Sequence, residues 1–124
     1  MKMEANEYQR MAHEFATYGH NPMYPAIGLA EEAGEVCGKL AKYIRNHDGA
    51  EPANAESATP MGKDLEDAIN FRENLKKELG DVCWMVAELC TVYGLTLNEV
   101  LTANLDKLTD RKKRGVIVGE GDNR

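Results

Sequence analysis

The sequence lacks a surplus of positive charge. Fifteen Lys and Arg stand against 21 Asp and Glu, a formal net charge of −6. That balance argues against a protein whose main task is to neutralise a nucleic-acid backbone. Paired cysteines are also missing: Cys37, Cys83 and Cys90 are an odd number with no C-x-x-C spacing. Disulfide-framework and zinc-ribbon readings are therefore weak, and three buried free thiols in a reducing cytoplasm are expected. No run of about 18 apolar residues exists, so no membrane helix is expected. Residues 1–10 carry Glu4 and Glu7 without an apolar stretch, unlike a signal peptide. Val, Ile, Thr and aromatics form no alternating runs, which excludes a sheet, and there is no internal repeat. What these absences leave is one all-α, cytoplasmic domain over residues 1–124, with no nucleic-acid or membrane partner.

What is present is helical periodicity. A first helix is predicted from about Met3 to Tyr18, with Tyr8, Met11, Ala12, Phe15 and Ala16 on related faces and Gly19 and Asn21-Pro22 stopping it. A second is predicted from about Pro25 to Asn46, with Leu29, Ala33, Val36, Leu40 and Tyr43 or Ile44 as its apolar stripe. Residues 47–63 hold almost no large apolar side chain and read as a mobile loop. A third helix is entered between Asp64 and Phe71 and runs to Tyr93, with Leu75, Leu79, Val82, Val86 and Leu89 as its stripe. The fourth opens on Thr96-Leu97-Asn98-Glu99, a capping box, and presents Val100, Leu101, Leu105 and Leu108 before Gly115 ends it. Residues 115–124 form an irregular tail.

The two longest helices each carry an acidic cluster: Glu31-Glu32-Ala33-Gly34-Glu35 and Glu78-Leu79-Gly80-Asp81. At 100° per residue, Glu32 and Glu35 lie within about 60° of each other, as do Glu78 and Asp81. Each pair borders its apolar stripe, so packing of the stripes can bring four carboxylates together. Such a set repels itself unless a cation sits between, and an all-oxygen site suits Mg²⁺ or Mn²⁺. None of His13, His20 and His47 stands in the Glu-x-x-His relation of a di-iron bundle. Gly34 and Gly80 cost about 1 kcal/mol each in helix propensity, which points to close approach of a helix or ligand. The bland alternative is that the acids are a solvated face paired with Lys39, Lys42, Lys76 and Lys77.

Glu31-Glu32-x-x-Glu35 followed by Glu78-x-x-Asp81 resembles the EExxE…ExxD signature of the MazG-like all-α nucleoside triphosphate pyrophosphohydrolases. Their relatives include dCTP pyrophosphatases, dimeric dUTPases and phosphoribosyl-ATP pyrophosphohydrolases. Asn6-Glu7-Tyr8-Gln9, Gly28-Leu29-Ala30, Asn104-x-x-Lys107-x-x-x-Arg111 and the ending from Arg114-Gly115 to Arg124 extend the resemblance over nearly all the chain except the 47–63 loop. The ending is similar to that of small bacterial and phage members.

The resemblance implies a four-helix, bundle-like fold and hydrolysis of a nucleoside or deoxynucleoside triphosphate between the α- and β-phosphates, as in clearing unwanted nucleotides. It implies Glu32, Glu35, Glu78 and Asp81 as Mg²⁺ (or Mn²⁺) ligands, with Glu31 holding or deprotonating the attacking water or aiding a second ion. It also implies a homodimer or homotetramer. Asn104, Lys107 and Arg111 share one face of the fourth helix and are candidate phosphate ligands; the alternative is ordinary solvated residues. Lys39 and Lys42 read more readily as surface residues than as phosphate contacts. For the base, the candidates are His13, Tyr18 and Tyr24, with Phe15 and His20 nearby. Phe15 reads more readily as core, and Trp84 as a helix–helix or subunit contact. The other class of reading is a non-catalytic helical nucleotide- or protein-binding module.

Overall fold

The computed structural model describes residues 2–123. Among them are four α-helices and no strand: α1 (Ala5–His13), α2 (Met23–Asn46), α3 (Lys63–Val92) and α4 (Leu97–Lys113). The helices α2 and α3 form a long pair, about 36 and 45 Å in length. Helix α1 lies on α3, and α4 contacts α1 and the end of α3.

Helix α1 is shorter than the sequence predicts. After His13 the Glu14, Phe15 and Ala16 amides donate to carbonyls three residues back, so the helix tightens and unwinds. The cause lies further on: His13 and Tyr18 both turn toward a carboxylate on α3. Phe15 leaves the helical register and is 73% exposed, which corrects its expected core role. Helix α2 starts at Met23, whose amide donates to Asn21 Oδ1 at 3.0 Å. Pro25 sits in the first turn, where a missing N–H leaves no helical bond unmade.

The turn into α4 accounts for its free amides in full. The Leu97 amide donates to Gln9 Oε1 at 2.6 Å, Asn98 to Asn6 Oδ1 at 2.9 Å, and Glu99 to the Thr96 hydroxyl at 3.1 Å. The Glu99 carboxylate returns to the Thr96 amide at 3.0 Å and completes the expected capping box. Gln9 also donates to the Leu95 carbonyl at 2.9 Å. Two polar side chains of α1 thus fix the α3–α4 corner. Gly94 (φ 67°) turns that corner in the left-handed region open to glycine.

The core is small. Ala87, Cys90 and Leu97 form its centre, with Ala5, Tyr8, Val86 and Val100 around them. The buried face of α3, which includes Met85, Ala87, Glu88 and Cys90, is rotated from the predicted Leu75–Leu79–Val86 stripe. Helix α1 takes that face, and Leu79 remains exposed. On α4, Leu101, Leu105 and Leu108 are exposed as well. Cys37 and Cys83 are exposed free thiols and only Cys90 is buried, which corrects the expectation of three buried thiols. Cys37 faces a cleft shared with residues 52–55, and Cys83 one shared with Met3, Ala5 and Leu101, so the neighbouring segments border these thiols without closing over them.

Gly34 and Gly80 are not the glycines of close helix approach, since a Cβ at either meets nothing within 4 Å. That role falls to Gly28, where a Cβ would meet Met85 Sδ at 2.5 Å.

Residues 47–62 are tied at their entrance. His47 stacks on Tyr43, with ring centroids 3.8 Å apart and planes 5° apart. Its Nδ1 bonds the Tyr43 carbonyl and its Nε2 bonds Asp67 Oδ2, each at 2.8 Å. Two acceptors favour the imidazolium, so the bond to Asp67, with help from Tyr43, raises the His47 pKa above its ordinary 6.5. The Asp67 carboxyl is lowered, first by Lys63 and then by His47. The His47 contribution is whole below its ordinary pKa and lost as pH rises through the raised one. That of Asp67 is present above its ordinary pKa and lost as pH falls. The melting-temperature difference between the wild type and His47→Gln is therefore expected to shrink between about pH 6 and about pH 9, as read by thermal melts. A difference that stays constant over that range would show that the pair does not titrate.

Candidate functional site

The close approach of Gly28 to Met85 sets α2 and α3 side by side, four residues before Glu32 on α2 and four residues after Asp81 on α3. One carboxylate oxygen from each of Glu32, Glu78 and Asp81 lies within 4.8 Å of the others. Glu32 and Glu78 are half-buried and Asp81 is exposed. Glu31 and Glu35 are exposed on α2 and lie outside this triplet. Partial burial raises the Glu32 carboxyl pKa, and repulsion from Asp81, Glu31, Glu78 and Glu35 raises it further. Acids of both motifs thus act electrostatically on the Glu32 carboxyl. Lys39 reaches Glu78 at 3.3 Å, so this lysine belongs to the site's edge and not to the open surface.

The donor set fits a hard divalent ion. It offers carboxylate oxygens only, with no thiol or imidazole among the three groups. The fourth and fifth acids, Glu35 and Glu31, stand beside Glu32 on α2.

The expected base residues assemble around a residue that composition and spacing do not single out, Glu88. Its side chain is fully buried. One oxygen accepts from Trp84 Nε1 at 3.2 Å; the other accepts from His13 Nδ1 at 2.9 Å and from the Tyr18 hydroxyl. Burial, then the bond to Glu88, pushes the Tyr18 phenol upward and keeps it a donor. Tyr24 stacks on Tyr18 with centroids 5.0 Å apart and planes 10° apart. His20 is exposed, 6.4 Å from the His13 ring. A signal for Glu88 existed: it is the one acid in the apolar run Met85-Val86-Ala87-Glu88-Leu89-Cys90. Trp84 borders the acids, lining clefts with Asp81 on one side and with Glu31 and Glu32 on the other.

The α4 cations are engaged by the tail. Arg111 is 5% exposed and its Nη2 donates to the Asp122 carbonyl at 3.1 Å and to Asp122 Oδ1 at 3.2 Å. Lys107 reaches the same carboxylate at 3.4 Å. Arg111, then Lys107, holds the Asp122 carboxyl below its usual range. The tail thus folds onto Lys107 and Arg111 of its own chain, while Asn104 is exposed. Arg124 lies outside the described residues.

These features match known sequences. The family model of the MazG nucleotide pyrophosphohydrolase domain matches residues 24–116. The chain is similar to the Gene 37 protein of Mycobacterium phage L5, with 41% identity over 101 residues, covering 82% of this chain and 75% of that protein. It is also similar to the uncharacterized protein YvdC of Bacillus subtilis, with 34% identity over 83 residues, covering 67% and 68% of the two chains. No solved structure matches.

Metal binding at the triplet has two signatures. Mg²⁺ at about a hundred times its dissociation constant is expected to stabilise the fold by about 2.7 kcal/mol, a rise of several degrees in melting temperature. Asp81→Asn is expected to raise the metal-free melting temperature, by relieving repulsion, and to lose most of the Mg²⁺ response. Equal Mg²⁺ responses in the two proteins would place the ion elsewhere.

Proposed function

We propose, from the premise that the chain belongs to the MazG nucleotide pyrophosphohydrolase family, that it hydrolyses nucleoside or deoxynucleoside triphosphates to the monophosphate and pyrophosphate, in a cytoplasmic role of clearing nucleotides. The observation that carries this reading is the convergence of Glu32, Glu78 and Asp81 from two helices within 4.8 Å. Three carboxylates this close repel one another, and Lys39, the one cation seen against them among the described residues, offsets a single charge.

Glu32, Glu78 and Asp81, with Glu35 as a fourth ligand, would hold Mg²⁺ or Mn²⁺. When bound, the ion supplies neutralisation of the polyphosphate and polarisation of the phosphorus centre. Glu31, next to Glu32 on α2 but outside the triplet, holds the attacking water and takes its proton. The water oxygen bonds to the α-phosphorus, the α–β bridging bond breaks, and pyrophosphate leaves with the electron pair. Lys107 and Arg111, with Asn104, grip phosphate oxygens after releasing Asp122; Arg fits two oxygens as a fork and Lys one as a point charge.

Self-association belongs to the same reading. The chain exposes 9222 Å², against about 6,600 Å² for a compact chain of its mass. Leu101, Leu105 and Leu108 form one open stripe on a helix that little else of this chain supports. We read the protein as a homodimer or homotetramer. Sedimentation at about 10 µM is expected to show no 13.8 kDa species; a monomer there would remove this part of the reading.

Pyrophosphate release tests the activity. With Mg²⁺ and a panel of NTPs and dNTPs, the wild type is expected to turn over at least one substrate. Glu32→Gln and Asp81→Asn are expected to lower kcat by about a hundredfold or more with helicity unchanged. No turnover on any substrate, or undiminished turnover in both variants, would favour a non-catalytic binding module.

A further inference from the structure

We propose that the cleft between Trp84 and Tyr24 is the nucleobase slot and that Glu88 is its positioning residue, fixing both aromatic walls from inside the fold. The inference rests on the nucleotide reading above and adds what recognises the base.

The cleft holds about 160 Å³ and is lined by Tyr24, Ile27, Gly28, Glu31, Glu32, Trp84 and Met85. Three properties suit a planar heteroaromatic ring. Its walls include two aromatic side chains, which offer stacking to any base. Gly28 and Met85 line it together, and a Cβ at position 28 would meet the Met85 sulfur at 2.5 Å. Its lining includes Glu31 and Glu32, so a base in the cleft leaves its phosphates beside the acids.

The walls share one anchor. Trp84 is held through Nε1 by Glu88 Oε1. Tyr24 is held by its stack on Tyr18, and the Tyr18 hydroxyl is held by Glu88 Oε2. His13 supplies the remaining bond to that oxygen at 2.9 Å. A fully buried carboxylate costs stability unless its lone pairs are met by donors. Here every donor comes from an aromatic ring, and two of the three, Trp84 and Tyr18, line the cleft or stack on its Tyr24. An apolar residue would fill the same core space without the desolvation cost, but it would not orient an indole and a phenol. Glu88 itself touches no substrate.

Trp84 is the chain's single tryptophan, so its fluorescence reports this cleft. The experiment titrates the intact protein, with Mg²⁺, with a panel of nucleoside 5′-monophosphates and separately with inorganic tripolyphosphate. Saturable quenching by at least one nucleotide and none by tripolyphosphate is the expected result. Quenching by tripolyphosphate as deep as by nucleotides, or by neither, overturns the slot. Turnover without quenching removes the slot and leaves the hydrolase reading standing; quenching without turnover does the opposite.

Two variants test Glu88. Glu88→Gln places an amide donor among three donors, and Tyr18→Phe removes one of them. Each is expected to raise KM by about tenfold with kcat within about twofold, and to weaken quenching in parallel. A fall in kcat at unchanged KM, with quenching intact, would mean that Glu88 only supports the fold. If Glu88→Gln loses helicity, Tyr18→Phe alone decides, because its ring stays in place and only the hydroxyl is lost.

Discussion

The contact of Gly28 with Met85 sets the geometry on which the acidic site and its neighbouring cleft both depend. A Cβ at position 28 would stand 2.5 Å from the Met85 sulfur, so α2 and α3 approach here as closely as helices with side chains between them cannot. Four residues back from Met85 in α3 stands Asp81, and four residues on from Gly28 in α2 stands Glu32. Close approach therefore places the acidic motifs of two helices within reach of one ion. The same two residues line the cleft beside them. Carboxylates that repel are held together by a packing contact that itself carries no charge.

A second constraint is the burial of Glu88. An acid in the interior must be met by donors, and the three available come from α1, the segment after α1, and α3 itself. Satisfying it shortens α1, turns the chain at residues 14–18, and brings Tyr18 and Tyr24 into a stack. The same carboxylate thus accounts for a local departure from helical structure and for the order of the aromatic residues near the acids. Asn6 and Gln9 do comparable work on α1, by meeting the free amides of α4.

The apolar surface left open points beyond one chain. Helix α4 carries a leucine stripe toward solvent, and its last turn is buried only where Arg111 is covered by the tail. The Nε of Arg111 is buried without a hydrogen-bond partner among the described residues. A guanidinium in that state, held through Nη2 by one carboxylate and two carbonyls, keeps donor capacity for anionic oxygen.

Much was legible in the sequence because it depends on local chemistry. The four helices follow from 3.6-residue periodicity, the α4 start from Thr96 and Glu99, and the acid pairs from a three-residue spacing that any helix converts into one face. Those signals need no knowledge of what packs where. Other features depend on which faces meet. The buried face of α3 lies part of a turn from its predicted stripe because α1, far away in sequence, covers the Trp84–Glu88 side. The expected core role of Phe15 failed because α1 ends early, and Gly28 outranks Gly34 and Gly80 because only one of them faces Met85. Glu88 stands out in the sequence only as the one acid of an apolar run, and only burial makes its hydrogen bonds obligatory. Composition and spacing determined the helices and the kind of chemistry they carry; tertiary packing alone decided which carboxylates converge and which one is buried, since burial is a property of faces brought together and not of residues in a row.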